Sequence, residues 1–186
     1  VENNPENEEL GNREVVFGRE IYIERSDFME EPVKKFFRLA PGKEVRLKGA
    51  YFITCTDVIK DENGNITEIH CTYDPETKSG SGCTRKVKGT LHWVEASTAV
   101  DIESRLYDYL LKEDSDGKDF LGDFNHESLQ VFKSKGEACL ATTVPGDRFQ
   151  FLRQGYFVTD KDSTSDHIVV NRIVGLRDSW AKAQKK

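Results

Sequence analysis

The sequence predicts a mainly all-β protein of short strands and a few short helices, the kind that forms barrels or sandwiches. Three observations carry that expectation. Residues 51–59 and 66–73 are rich in β-branched and aromatic side chains, and they flank Asp61-Glu62-Asn63-Gly64-Asn65, where Asn-Gly marks a hairpin. Residues 147–153, 155–158 and 168–174 read as three more strands with turn residues between them. No apolar run in the 186 residues approaches the length needed to span a bilayer.

Taken in order, residues 2–12 are Pro-, Asn- and Glu-rich and read as a loop. Val15-Val16-Phe17 and Ile21-Tyr22-Ile23 read as strand, turn, strand. Asp27-Phe28-Met29-Glu30 has capping-box spacing, and Pro32 suits a first helical position, so a short helix is expected before Pro41-Gly42. Phe36, Leu39 and Ala40 would face the core of that helix, with Lys34, Lys35 and Arg38 on its other face. Val45 and Leu47 alternate with Glu44, Arg46 and Lys48 as in a half-buried strand. The cations of helix and strand would then line one surface, which could equally be a solvated face with no ligand.

After the hairpin, residues 74–82 read as a flexible loop and residues 85–94 as one strand, basic at its start and apolar at its end. His92 beside Trp93 reads as a core or near-core side chain. Residues 97–112 suit a helix face through Ile102, Leu106 and Leu110, and equally a strand through Val100, Ile102, Ser104 and Leu106. Residues 112–119 form an acidic loop, residues 128–132 a strand, and residues 176–183 a closing helix.

Charge and composition narrow the function. With 27 basic and 33 acidic residues the net charge is -6, which repels polyanions on average, so cations gathered locally suit a confined site. Cys55, Cys71, Cys83 and Cys139 lack metal-ligand spacing and are expected as reduced thiols, Cys55 and Cys71 lying on either side of the hairpin. The polar, acidic start is unlike a signal peptide, so the cytoplasm is expected. No phosphate-binding Gly loop, HExxH or GxSxG is present, and the four histidines are scattered, so binding rather than catalysis is expected.

One series of residues goes further. Residues 19–28, Gly42-Lys43-Glu44-Val45-Arg46-Leu47-Lys48, Cys71-Thr72-Tyr73-Asp74, Arg85-Lys86-Val87-Lys88-Gly89 with His92-Trp93-Val94, and then residues 151–156 and 171–180 occur in order along nearly the whole chain. This series resembles the C-terminal anticodon-binding part of the glutaminyl-tRNA synthetases, closest to the bacterial type. The resemblance implies two antiparallel β-barrels: a distal one over residues 26–95, and a proximal one from residues 1–25 and 96–186. It also implies that the catalytic domain lies upstream, that a proximal-barrel strand was lost with it, and that ATP and Mg²⁺ act there, with no cofactor needed in this stretch.

The resemblance assigns roles residue by residue. Arg38 matches an arginine that reads the last anticodon base, a guanine, to which a guanidinium can donate two hydrogen bonds. Gln150 and Arg153 match a pair that reads the middle uracil, although side chains three apart on a strand point to opposite faces. Arg46 matches an arginine near the first base, and Lys34, Lys35 and Arg177 are candidates for phosphate contacts. Lys35, Phe37 and Gly49 depart from the bacterial pattern, which carries Gln, Lys and Asn there. For Phe36 and Phe37 core packing is the favoured reading, ahead of a stacking surface for a base.

The implied partners are glutamine tRNA, through its anticodon loop and stem, and the enzyme's own catalytic domain. A monomer is expected, and no membrane. Two other readings stay open: a β-barrel protein-interaction module without an RNA role, and the anticodon-binding region of a glutamyl-tRNA synthetase.

Overall fold

The computed structural model describes residues 1–4, 6–112 and 114–176. The chain divides into two compact units, Val1–Ser97 and Thr98–Lys186. The protein is mainly β, as its alternation demands.

In the first unit β1 (Ile21–Ile23) is followed by β2 (Glu44–Leu47), the long hairpin β3 (Phe52–Lys60) and β4 (Ile66–Asp74), and the short β5 (Thr90–Leu91) and β6 (Trp93–Glu95). β1 pairs antiparallel with β6, and the remaining four strands form a sheet of order β4-β3-β2-β5. β2 has the alternating burial its sequence predicts, with Val45 and Leu47 in the core and Glu44 and Arg46 half-exposed. Phe28, Leu39, Ile53, Leu91 and Trp93 complete that core. Cys55 and Cys71 stand directly opposite each other on β3 and β4, both as free thiols.

In the second unit β7 (Val100–Tyr107), β8 (Leu129–Gly136), β9 (Arg148–Phe151), β10 (Gly155–Thr159) and β11 (Ile168–Gly175) form one sheet of order β8-β7-β11-β10-β9. Ile102, Leu140, Phe157, Ile168 and Val170 make its core, with Phe151 stacked on Phe157 at 4.5 Å. On the other face Arg105 lies 2.6 Å from Glu103 and 3.9 Å from both Asp160 and Asp162, and His167 lies 3.2 Å from Glu103. The hydrogen bond from Arg105 holds the Glu103 carboxyl below its usual range, and the Asp162 backbone N–H does the same for Asp160.

Several expectations need correction. The described pairings join the edge strands of none of the three sheets, so they do not close into barrels. Nor are the sheets purely antiparallel: β5 returns beside β2 in parallel, and β11 beside β7, because each is reached by a long connection rather than a hairpin. Residues 1–25 fall within the first unit, where β1 pairs β6, whereas the resemblance groups them with residues 96–186.

The expected strand over residues 15–17 is irregular chain, although Val15 and Phe17 pack on the core. Residues 85–89 are likewise irregular, so the single strand expected over 85–94 is two short pieces. The ambiguous stretch near residue 100 is the strand β7. The helix expected at residues 176–183 falls, after Leu176, outside the described residues.

Candidate nucleic-acid interface

The expected helix before Pro41 does not form. Its backbone groups bond across the chain instead: Leu39 N–H donates to Asp27 O at 2.9 Å, and Met29 N–H to Leu39 O at 3.1 Å. Those bonds lay residues 27–29 beside Leu39 as a parallel bridge and bury Leu39 and Ala40 without a helical turn. The cations therefore do not share a helix face. Lys34 and Lys35 instead occupy a tight turn closed by Phe36 N–H to Val33 O at 3.0 Å, and both are exposed.

Arg38 is not a solvated cation. Its side chain is 14% exposed, and Nη1 lies 3.4 Å from Oδ1 of the fully buried Asp27. The same Nη1 donates to the Ser26 carbonyl at 3.1 Å and to the Ser26 hydroxyl at 3.3 Å. A guanidinium gripped this way has a fixed plane, which a bidentate contact needs and a floppy surface arginine lacks.

Arg46 lies on the face of β2 opposite the core. Its Nη1 donates to Ser79 Oγ at 3.1 Å, and its guanidinium carbon sits 4.2 Å from the centroid of the Phe52 ring. Arg85 covers the same ring at 5.1 Å while bridging Glu44 at 3.1 Å and Asp74 at 2.6 Å. Arg46 is thus tied into the loop after β4.

Phe37 corrects the core-packing expectation. The residue is 51% exposed, and Lys88 Nζ lies 4.9 Å from its ring centroid. An exposed cation–π contact of this kind contributes about 0.5–1 kcal/mol. Phe36 is half-buried.

In the second unit Gln150 is exposed on β9, directly opposite Tyr156 of β10, itself 45% exposed. Arg153 lies beyond the strand, in the turn closed by Gln154 N–H to Phe151 O at 2.9 Å. The objection that residues three apart face opposite sides therefore lapses, because the chain reverses between them. Arg38 and Arg46 belong to the first unit, Gln150 and Arg153 to the second. Arg177 lies outside the described residues.

Lys35 and Arg153 share a feature that spacing does not reveal. They are the non-glycine residues with positive φ among the described residues, at 70° and 66°. Each is the third residue of its turn, the position where a type II turn prefers glycine. Sequence reasoning also missed Asp27, Lys88 and Tyr156. Only Tyr156 had a usable signal, since a hairpin around residues 152–154 sets it against Gln150.

Two family models match the chain, both described as the anti-codon binding domain of class I tRNA synthetases (E and Q), over residues 1–74 and 90–160. A glutamine–tRNA ligase of Clostridium perfringens is 56% identical over 185 residues, covering 97% of this chain and 34% of that protein. The glutamine–tRNA ligase of Clostridioides difficile is 55% identical over 186 residues, covering 97% and 34%. That of Rhodopirellula baltica is 50% identical over 190 residues, covering 99% and 32%. The chain spans about a third of the length of the curated relatives it matches.

Proposed function

We propose, from the premise that this chain belongs to the anticodon-binding domains of the class I tRNA synthetases (E and Q), that it reads the glutamine anticodon for an ATP-dependent ligase. The carrying observation is the match to glutamine–tRNA ligases along nearly the whole chain. That match also favours glutamine over the glutamate reading.

In this proposal Arg38 donates to O6 and N7 of the last base, a guanine. Gln150 and Arg153 address the middle uracil, Arg46 the first base, and Lys34, Lys35 and Arg177 the phosphates. Anticodon-loop bases suit such readout because, unpaired, they expose their Watson–Crick edges. The chemistry of attachment, with ATP and Mg²⁺, belongs to a catalytic domain that this chain does not match, and the working enzyme is a cytoplasmic monomer. Among the described residues no helix is long and apolar enough to cross a membrane. The Arg38–Asp27 pair favours a module without an RNA role, since its charge is compensated inside the protein.

Titrating the chain with glutamine tRNA and with an anticodon-substituted version, at two salt concentrations, separates the readings. Salt-sensitive binding with a preference for the matching anticodon is the expected result. Equal affinity for both RNAs would reduce the interaction to generic phosphate attraction and sink the decoding role.

A further inference from the structure

We infer that Phe37 and Lys88 form an additional nucleotide subsite beside Arg46, in which the Phe37 ring stacks on the first anticodon base and the Lys88 ammonium takes that nucleotide's phosphate. The inference rests on the anticodon reading above. It starts from a ring with no packing reason to be outside: Leu39 and Ala40, two and three residues on, are buried, yet Phe37 remains 51% exposed with a lysine ammonium 4.9 Å from its centroid.

One glycine organises the subsite. Gly89 is buried, and a Cβ there would collide with the carbonyl oxygen of Phe37 and press on Val45, so the two backbones touch where only glycine fits. That approach sets Lys88, the residue before Gly89, over the ring. The Gly89 carbonyl accepts the Arg46 N–H at 2.9 Å, and the next residue, Thr90, stands in register with Arg46. Phe37, Lys88 and Arg46 are therefore fixed to one another through the edge of the sheet. An exposed ring with a cation able to swing from it, on backbone joined to that of Arg46, matches an unstacked base and its phosphate. An aromatic face tolerates any base, so this subsite contributes affinity and placement, and Arg46 the selectivity.

The test uses this chain and an anticodon stem-loop RNA of the glutamine type carrying 2-aminopurine at the first anticodon position, whose fluorescence falls when it stacks. Saturating binding should change that fluorescence. Phe37→Leu should abolish the change and weaken binding about tenfold, while Phe37→Trp preserves both. Lys88→Gln should keep the stacking signal and lower the slope of log affinity against log salt by about 0.7. A silent first position, or Phe37→Leu and Lys88→Gln binding like the unmodified chain while Arg38→Lys loses its preference at the last base, removes the subsite and leaves the anticodon reading standing. If the unmodified chain cannot tell the matching anticodon from a substituted one, both fall together.

Discussion

Arg38 joins stability and recognition in one side chain, and substitution can separate them. Asp27 is fully buried, and the Arg38 guanidinium lies 3.4 Å from its carboxylate. Removing one partner of a buried ion pair typically costs about 3–5 kcal/mol. Arg38→Ala is therefore expected to unfold the first unit at a markedly lower denaturant concentration, which chemical denaturation followed by Trp93 fluorescence would show. Arg38→Lys keeps a positive charge for Asp27 but loses the planar fork. It should fold, and in RNA binding it should forfeit about 1–3 kcal/mol of discrimination for guanine at the last base. A lysine variant as selective as the parent would assign Arg38 to the fold alone.

At the scale of elements, two tight turns carry a cation where glycine would be at ease. Positive φ costs a non-glycine residue roughly 1–2 kcal/mol. Glycine relieves that strain but costs about 0.5–1 kcal/mol in chain entropy. Lys35→Gly and Arg153→Gly should thus leave thermal stability nearly unchanged or slightly improved while weakening RNA binding, a split that binding titration and thermal melts on the same samples would reveal. Unchanged binding would mean the two cations are incidental. The outer face of the second sheet gives a further expectation. Glu103 and Asp160 are held below the usual carboxylate range by the Arg105 hydrogen bond and the Asp162 N–H respectively. A depressed carboxylate contributes stability that is complete above the unfolded-state value and is lost as pH falls through the folded value. Acid titration should therefore destabilise the unit containing β7 and β11, and Arg105→Gln should flatten that loss; an unaltered acid profile in the variant would exclude the network. The same scale explains what was legible in the sequence. β3 and β4 could be read because Asn63-Gly64 sets the hairpin, and β9 to β11 because turn residues separate alternating runs. The helix before Pro41 was misread because Phe36, Leu39 and Ala40 have helical spacing, yet what buries Leu39 is a bridge to Phe28, a long-range pairing no local window contains. The partner of Arg38 was hidden for the same reason. Arg46 and Gln150 could be placed on strands, but the ring beneath Arg46 comes from β3 and the one beside Gln150 from β10, across ladders whose register only the fold fixes.

For the whole molecule the question is how a chain of net charge -6 holds an RNA at all. Its average field opposes any polyanion, so binding must come from a few cations placed where the loop arrives rather than from general attraction. The salt dependence measures that number, because each phosphate neutralised on a single strand contributes about -0.7 to the slope of log affinity against log salt. Lys34, Lys35, Lys88 and Arg177 are the proposed phosphate contacts, which together predict a slope of about -2.8. A Lys34→Gln, Lys35→Gln double variant should flatten the slope by about 1.4 without altering the preference between anticodons, since phosphates position an RNA while base edges identify it. A slope far steeper than this would point to broad polyanion attraction, and loss of anticodon preference in the double variant would mean that these lysines touch bases. Either result would move decoding away from the arginines and the glutamine to which it is assigned here.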